Sequence, residues 1–205
     1  MRPAGPPPSP SSLSWPSPSR PPRDPYSQAT NLISDLGNTA CGPAVCSPMH
    51  GLVDGTFIAV GLLQWFGIVG IRRALPTGRA SWLATILLVL AGWGLAYAGV
   101  FPENVAPNQH RFGALLGLTC LNLGLITLGV VLLPLARELG VLAGLSGLIG
   151  LLGLALFLGP VKLLPVGTAE RIADYPGVIM IIAIGAFLLV RSLTTRSPVV
   201  PTSGP

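Results

Sequence analysis

From residue 49 onward the chain alternates long apolar runs with short polar breaks. Five runs stand out, at 49–71, 81–100, 112–133, 139–159 and 176–191. Each is apolar around its whole circumference rather than along one stripe, which predicts helices surrounded by hydrocarbon and not amphipathic surface helices. At 1.5 Å per residue, about 20 residues cross a hydrocarbon core of roughly 30 Å. The second run, SWLATILLVLAGWGLAYAGV, carries no charge. The third and fourth are bounded by Pro134 with Arg137–Glu138 and then by Gly159–Pro160. The fifth is shorter, and its first turn merges with the preceding loop. A transmembrane barrel requires polar and apolar residues to alternate along short strands, and these runs do not alternate. Buried helices of a soluble protein would need amphipathic partners to cover them, which the chain lacks. The pattern therefore predicts an all-α fold, a polytopic transmembrane helical bundle with about five membrane-spanning helices.

Composition agrees. Of 205 residues, 50% are hydrophobic and only 9% charged, against about a quarter charged in soluble domains. The net charge of +5 forms no continuous basic stripe and the aromatics lie mostly in apolar runs, so no nucleic-acid partner is expected. Membrane lipids are. Arg72, Arg73 and Arg79 lie between the first two runs with no acid among them, which marks that linker as cytoplasmic. Alternation then puts Arg137, Arg191 and Arg196 on the same side. The loops 101–111 and 160–175, and the stretch before His50, fall opposite.

Residues 1–25 contain ten prolines and many serines. They predict a disordered or polyproline-like tail, not a signal peptide, because no apolar core follows Arg2. A transmembrane domain at 26–191 and a second flexible tail at 192–205 complete the expected organisation. Cys41 and Cys46 would pair in an oxidising compartment or else remain thiols, whereas Cys120 sits in an apolar run as a packing residue. Glycines four apart (Gly51 and Gly55, Gly113 and Gly117, Gly140 and Gly144) predict close helix approach. Trp82, Trp93, Tyr97, Phe101 and Tyr175 suit interfacial anchoring.

The polar residues that such a chain would be expected to avoid fall on one side. YSQATNLISDLGN at 26–38 holds Tyr26, Asn31, Ser34 and Asp35; the first helix opens with His50 and Asp54, four apart and so on one face. FPENVAPNQHR at 101–111 adds Glu103 and His110, and PVGTAERIADYP at 165–176 adds Glu170 and Arg171. In one bundle, Ser34, Asp35, His50, Asp54, Glu103, His110, Glu170 and Arg171 are candidates for a polar site around an outer mouth. Three chemistries compete for them. A structural cap would pair Asp35 or Glu103 with Arg171. A pocket for a lipid headgroup, ion or small solute would use Arg111 or Arg171 to hold an anionic group, with His110 as a titratable donor. A membrane-embedded hydrolase would use His50 or His110 as base beside a carboxylate. No metal-ligand spacing, nucleophile elbow, phosphate loop or dinucleotide fingerprint is present, so no cofactor and no metal are expected.

In order and spacing these motifs resemble the DUF998 family of bacterial multi-pass membrane proteins. The resemblance rests on YSQATNLISDLGN at 26–38, a helix with His50 and Asp54, GVFPENVAPNQH at 99–110 and GTAERIADYP at 167–176, and covers approximately residues 26–191. It implies a fold and a bacterial cell-membrane location but no activity, the family being a domain of unknown function. Family members look like six-helix proteins whose first helix directly precedes the equivalent of Tyr26. Here the Pro/Ser-rich tail stands in that place, so either the helix is lost or the recorded start misses it. The resemblance also implies recurring polar positions at Ser34, Asp35, Glu103, His110, Glu170 and Arg171. Many relatives carry Asn where Asp54 stands, which favours hydrogen bonding there over catalysis. The expectation is an outward polar mouth for non-enzymatic binding, scaffolding or small-solute handling; the alternative is a lipid hydrolase using His110 with Glu103. Nothing in the sequence sets the oligomeric state.

The arginine distribution makes a topological prediction. In a cysteine-free background, a cysteine placed in the 75–78 linker resists a membrane-impermeant maleimide in intact cells, while one placed at 161–164 is labelled. The opposite labelling would invert the topology.

Overall fold

A computed structural model of the chain describes residues 26–40 and 47–194. The Pro/Ser-rich stretch 1–25, the Cys41 and Cys46 pair and residues 195–205 lie outside the described residues. A 3-10 turn at Ser34–Gly37 precedes five helices: α1 (His50–Ile71), α2 (Arg79–Val100), α3 (Pro107–Leu132), α4 (Arg137–Leu158) and α5 (Val166–Thr194). A second 3-10 turn at Arg72–Ala74 extends α1. All five are long and apolar enough to cross a membrane, and no strand occurs among the described residues. The fold is the polytopic all-helical bundle that the apolar runs predict.

Two helices, α3 and α5, begin well before the runs at 112–133 and 176–191 suggest. Pro107 opens α3, where its missing N–H and preset φ suit the first turn, so His110 and Arg111 ride on the helix instead of in a loop. The larger difference is in α5. Pro176, read as a boundary, lies inside a continuous 29-residue helix. Proline removes one amide donor, which a membrane helix packed against neighbours tolerates. GTAERIADYP is therefore helical, not loop. At its far end α5 continues to Thr194, so the start of the expected tail at 192–205 is also helical.

Each helix packs chiefly on its neighbours in sequence, with α3 central and touching α5 as well. Leu88, Leu125 and Leu128 are essentially fully buried around it, with Ala84 and Ala143. No substantial packing joins α1 directly to α5. Large apolar side chains such as Phe66, Ile86, Leu152 and Ile182 face outward, where a bilayer would cover them. Arg72 lies 4.3 Å from the centroid of the Trp82 ring, a cation–π contact between the α1–α2 linker and the start of α2.

Small residues bring the backbones together, since hydrocarbon gives helices no hydrophobic reason to associate. A β-carbon on Gly94 would lie 2.5 Å from the Gly117 nitrogen and 2.7 Å from the Gly113 oxygen; one on Gly140 would lie 2.8 Å from the Gly129 oxygen. Two of the three glycine pairs thus sit at helix crossings. Gly51 and Gly55 do not: a β-carbon on either meets nothing within 4 Å.

Gly94→Ala should accordingly destabilise the bundle by about 1–3 kcal/mol through overpacking, whereas Gly55→Ala should be neutral or stabilising by up to about 1 kcal/mol through helix propensity. Unfolding of the two variants in a mild detergent checks the difference in sign.

Candidate functional site

Residues 26–39 form a strap across one end of the bundle. Its curvature is set locally by Asp35, whose Oδ2 accepts from the Leu32 amide at 2.9 Å and from Asn31 Nδ2 at 3.3 Å. Oδ1 accepts from Asn38 Nδ2 at 3.4 Å. Asp and Asn favour such turns because their short side chains reach nearby backbone.

The strap is then fastened to the bundle at several points. The Ile33 N–H donates to Glu170 Oε2 at 2.5 Å, and the Ser34 hydroxyl donates to Glu103 Oε2 at 2.7 Å. The Thr39 amide donates to Asn104 Oδ1 at 3.1 Å, and the Thr168 amide to the Ala29 carbonyl at 3.0 Å. Arg171 Nη1 donates to the carbonyls of Asn31 and Gly167, both at 2.9 Å, while Nη2 donates to the Tyr26 oxygen. The Tyr26 hydroxyl donates in turn to the Leu32 carbonyl at 2.8 Å. Partial burial pushes the Tyr26 phenol up, which keeps that proton in place.

The expected pairing of Asp35 or Glu103 with Arg171 is replaced by this arrangement. Asp35 is occupied by the amides of its own turn, Glu103 by Ser34, and the guanidinium by the Asn31 carbonyl of the strap, the Gly167 carbonyl of its own helix and the Tyr26 oxygen.

Beneath the 3-10 turn lies a cavity of ≈ 80 Å³ walled by α1, α2, α3 and α5. Its polar wall comprises Ser34, Gln64, His110, Glu170 and Asp174; Phe57, Leu118 and Leu121 are among its apolar neighbours. Helical phase explains the membership. Glu170 and Asp174 are four residues apart and share a face of α5, while Arg171, one residue on, is rotated towards the strap. Arg111 is exposed on α3. The cavity therefore presents carboxylates, and neither arginine expected to hold an anion lines it.

His110, 5% exposed, stands in the first turn of α3. Its Nδ1 is 3.0 Å from the carbonyls of both Ala98 and Phe101, at the end of α2. A carbonyl only accepts, so Nδ1 carries the hydrogen and Nε2 of the neutral ring is an acceptor. Unpaired carbonyls at a helix end are natural partners for such a donor.

Of the residues singled out in the sequence, Ser34, His110 and Glu170 meet at the cavity, with Glu103 directly behind Ser34. Asp35 and Arg171 stay in the strap. His50 and Asp54 occupy the first turns of α1 but do not line the cavity. Asp54 sits under the 3-10 turn, so close to Gly37 that a β-carbon there would collide with Oδ1. It is within electrostatic reach of His50 and His110. His110 and Glu103 do not form the pair that hydrolysis would use, each being bonded elsewhere. No group of three His, Cys, Asp or Glu side chains suited to a metal occurs among the described residues.

Three polar residues went unnoticed as site or core elements. Asp174 is visible as a partner of Glu170 only once α5 is continued through Pro176. Gln64 donates to the Leu88 carbonyl at 3.0 Å, and Asn122, fully buried, donates to the carbonyls of Leu118 at 2.8 Å and Ala173 at 2.9 Å. The signal available for both was a lone amide inside an apolar run, which hydrocarbon tolerates only when it is bonded.

Five apolar spans with a hydrogen-bonded strap over one end define a multi-pass membrane protein in contact with lipid. Its lineage is specific. The family model described as "Protein of unknown function (DUF998)" matches residues 20–187, and the chain belongs to that family. Membership is in keeping with a bacterial cell-membrane location. No curated protein and no solved structure matches the chain.

Arg171→Ala removes the hydrogen bonds that pin the strap, each worth about 1.5–3 kcal/mol for a charged donor. Amide exchange at Ile33 and Ser34 should accelerate at least tenfold while the centre of α3 stays protected. Unchanged exchange at Ile33 would remove Arg171 from this role.

Proposed function

We propose that the protein is a non-enzymatic binding protein of the membrane, taking a small polar ligand or a lipid headgroup through a mouth at the strapped end. The observation that carries this reading is the gathering of Ser34, His110 and Glu170, from three separate stretches of chain, around one cavity. A strap whose only task was closure could be packed with apolar side chains, as protein interiors normally are. Here a polar wall of Ser34, Gln64, His110, Glu170 and Asp174 faces open space in an otherwise apolar lining. The mouth faces outward on this reading, because Arg72, Arg73, Arg79 and Arg137 lie at the other end of the bundle. The hydrolase alternative gains no support from a His110 held by two carbonyls and a Glu103 held by Ser34.

Thermal unfolding of the purified full chain in a neutral detergent, against a panel of headgroup-sized amines, polyols, phosphates and carboxylates, tests the reading. A bound ligand at a hundred times its Kd stabilises by about 2.7 kcal/mol. The expected result is a shift for at least one class, lost in Glu170→Gln and His110→Ala and retained in Arg111→Ala. No shift across the panel, or a shift indifferent to both site substitutions, would overturn it. Steady product release from a lipid library, abolished in His110→Ala, would replace binding by hydrolysis.

A further inference from the structure

The cavity under the strap has an apolar neighbour. Below it, between α1 and α5, runs an apolar groove of ≈ 360 Å³ whose walls include Val60, Gly67, Ile71, Ile181 and Gly185. Gln64 and Val178 belong to both spaces. Polar room near the strap thus adjoins apolar room along the helices, with only the Gln64 and Val178 side chains shared between them. From Val60 to Ile71 the groove follows α1 for about 16 Å, roughly half the thickness of a hydrocarbon core. It is open sideways, because no substantial packing joins α1 to α5.

The polar end has a definite hydrogen-bonding character. Glu170 and Asp174 are carboxylates, and Asp174 has no hydrogen-bond donor among the described residues. His110 is buried with Nδ1 tied to carbonyls, so its remaining nitrogen, which has no hydrogen-bond partner among the described residues, accepts in the neutral ring. The Ser34 hydrogen is committed to Glu103. No lysine or arginine lines the cavity. The side chains facing a ligand are therefore dominated by acceptors, and a carboxylate away from water requires a donor or a cation beside it.

From these two observations we infer that the ligand is a single-chain amphiphile with a cationic, hydrogen-donating head: its ammonium lies among Glu170, Asp174 and His110, and its alkyl chain lies in the groove between α1 and α5. The inference rests on the cavity under the strap being a ligand site. It adds the sign of the head, the presence of a tail and a sideways route from the bilayer. A second copy of the chain, or another helix laid in the groove, would cover its apolar walls but leave the acceptors at its head unpaired.

Binding of dodecylamine, dodecanoate, dodecanol and the tail-less methylamine to the full chain, by native mass spectrometry from a non-ionic detergent, tests the assignment. Dodecylamine should bind at least tenfold more tightly than dodecanoate or dodecanol, and Asp174→Asn should weaken it at least tenfold. Gly67→Phe and Gly185→Phe probe the tail separately. A β-carbon at either glycine meets nothing within 4 Å, so a side chain can start from either backbone without overlap and extend into the groove that both line. Both should weaken dodecylamine at least tenfold and leave methylamine unchanged. Preference for dodecanoate would overturn the cationic head. Dodecylamine binding no tighter than methylamine, or unaffected by both phenylalanines, would overturn the tail while leaving the polar site standing. Failure of every compound, methylamine and the headgroup panel included, would remove the site itself. A particle that changes from dimer to monomer in Gly67→Phe, with amine binding intact, would reassign the groove to an interface between copies.

Discussion

In hydrocarbon no water is at hand to pair with a backbone amide or a carbonyl, and every such group must find its partner within the protein. Helices meet this demand along their length and fail it at their ends, where four donors or four acceptors remain open. Much of the chemistry in this chain is an answer to that failure. His110 takes the carbonyls at the end of α2, Glu170 takes an amide of the strap, and Arg171 takes carbonyls from both the strap and its own helix. Even inside the bundle, Gln64 and Asn122 are directed at main-chain oxygens of neighbouring helices. The polar residues that looked like a catalytic set are largely occupied in this way.

The same medium explains how the helices are arranged. With lipid as apolar as leucine, close backbone approach replaces the hydrophobic effect, and glycine at 94, 113, 117, 129 and 140 permits it. Packing runs from each helix to the next, and the series does not close. The seam between α1 and α5 adjoins the cavity at Gln64 and Val178, and at that depth the polar and apolar parts of the molecule come together.

Much of this was legible in the residues. Five uniformly apolar runs announced five spans, and the DUF998 resemblance carried by the motifs at 26–38, 99–110 and 167–176 agrees with the family match over residues 20–187. That those three motifs meet at one end followed from counting crossings. What sequence could not supply was helical phase through Pro176, since proline ordinarily signals an end. With that boundary misplaced, Glu170, Arg171 and Asp174 read as loop residues of no particular direction, and Asp174 was passed over. The partners of Arg171 were equally hidden: opposite charges suggest each other on paper, whereas loop carbonyls carry no letter of their own. Geometry alone shows that Asp35 is engaged by its own turn.

The bond from Arg171 to the Asn31 carbonyl joins residues 140 positions apart, in a molecule whose other contacts are mostly between adjacent helices. Helical hairpins of low contact order form early and locally. The strap is different: it is made before α1, yet the groups that hold it on α5 are made only after four helices. Its seating must therefore wait for the start of α5, and a strap in place marks a chain whose four preceding helices have already been threaded through the bilayer.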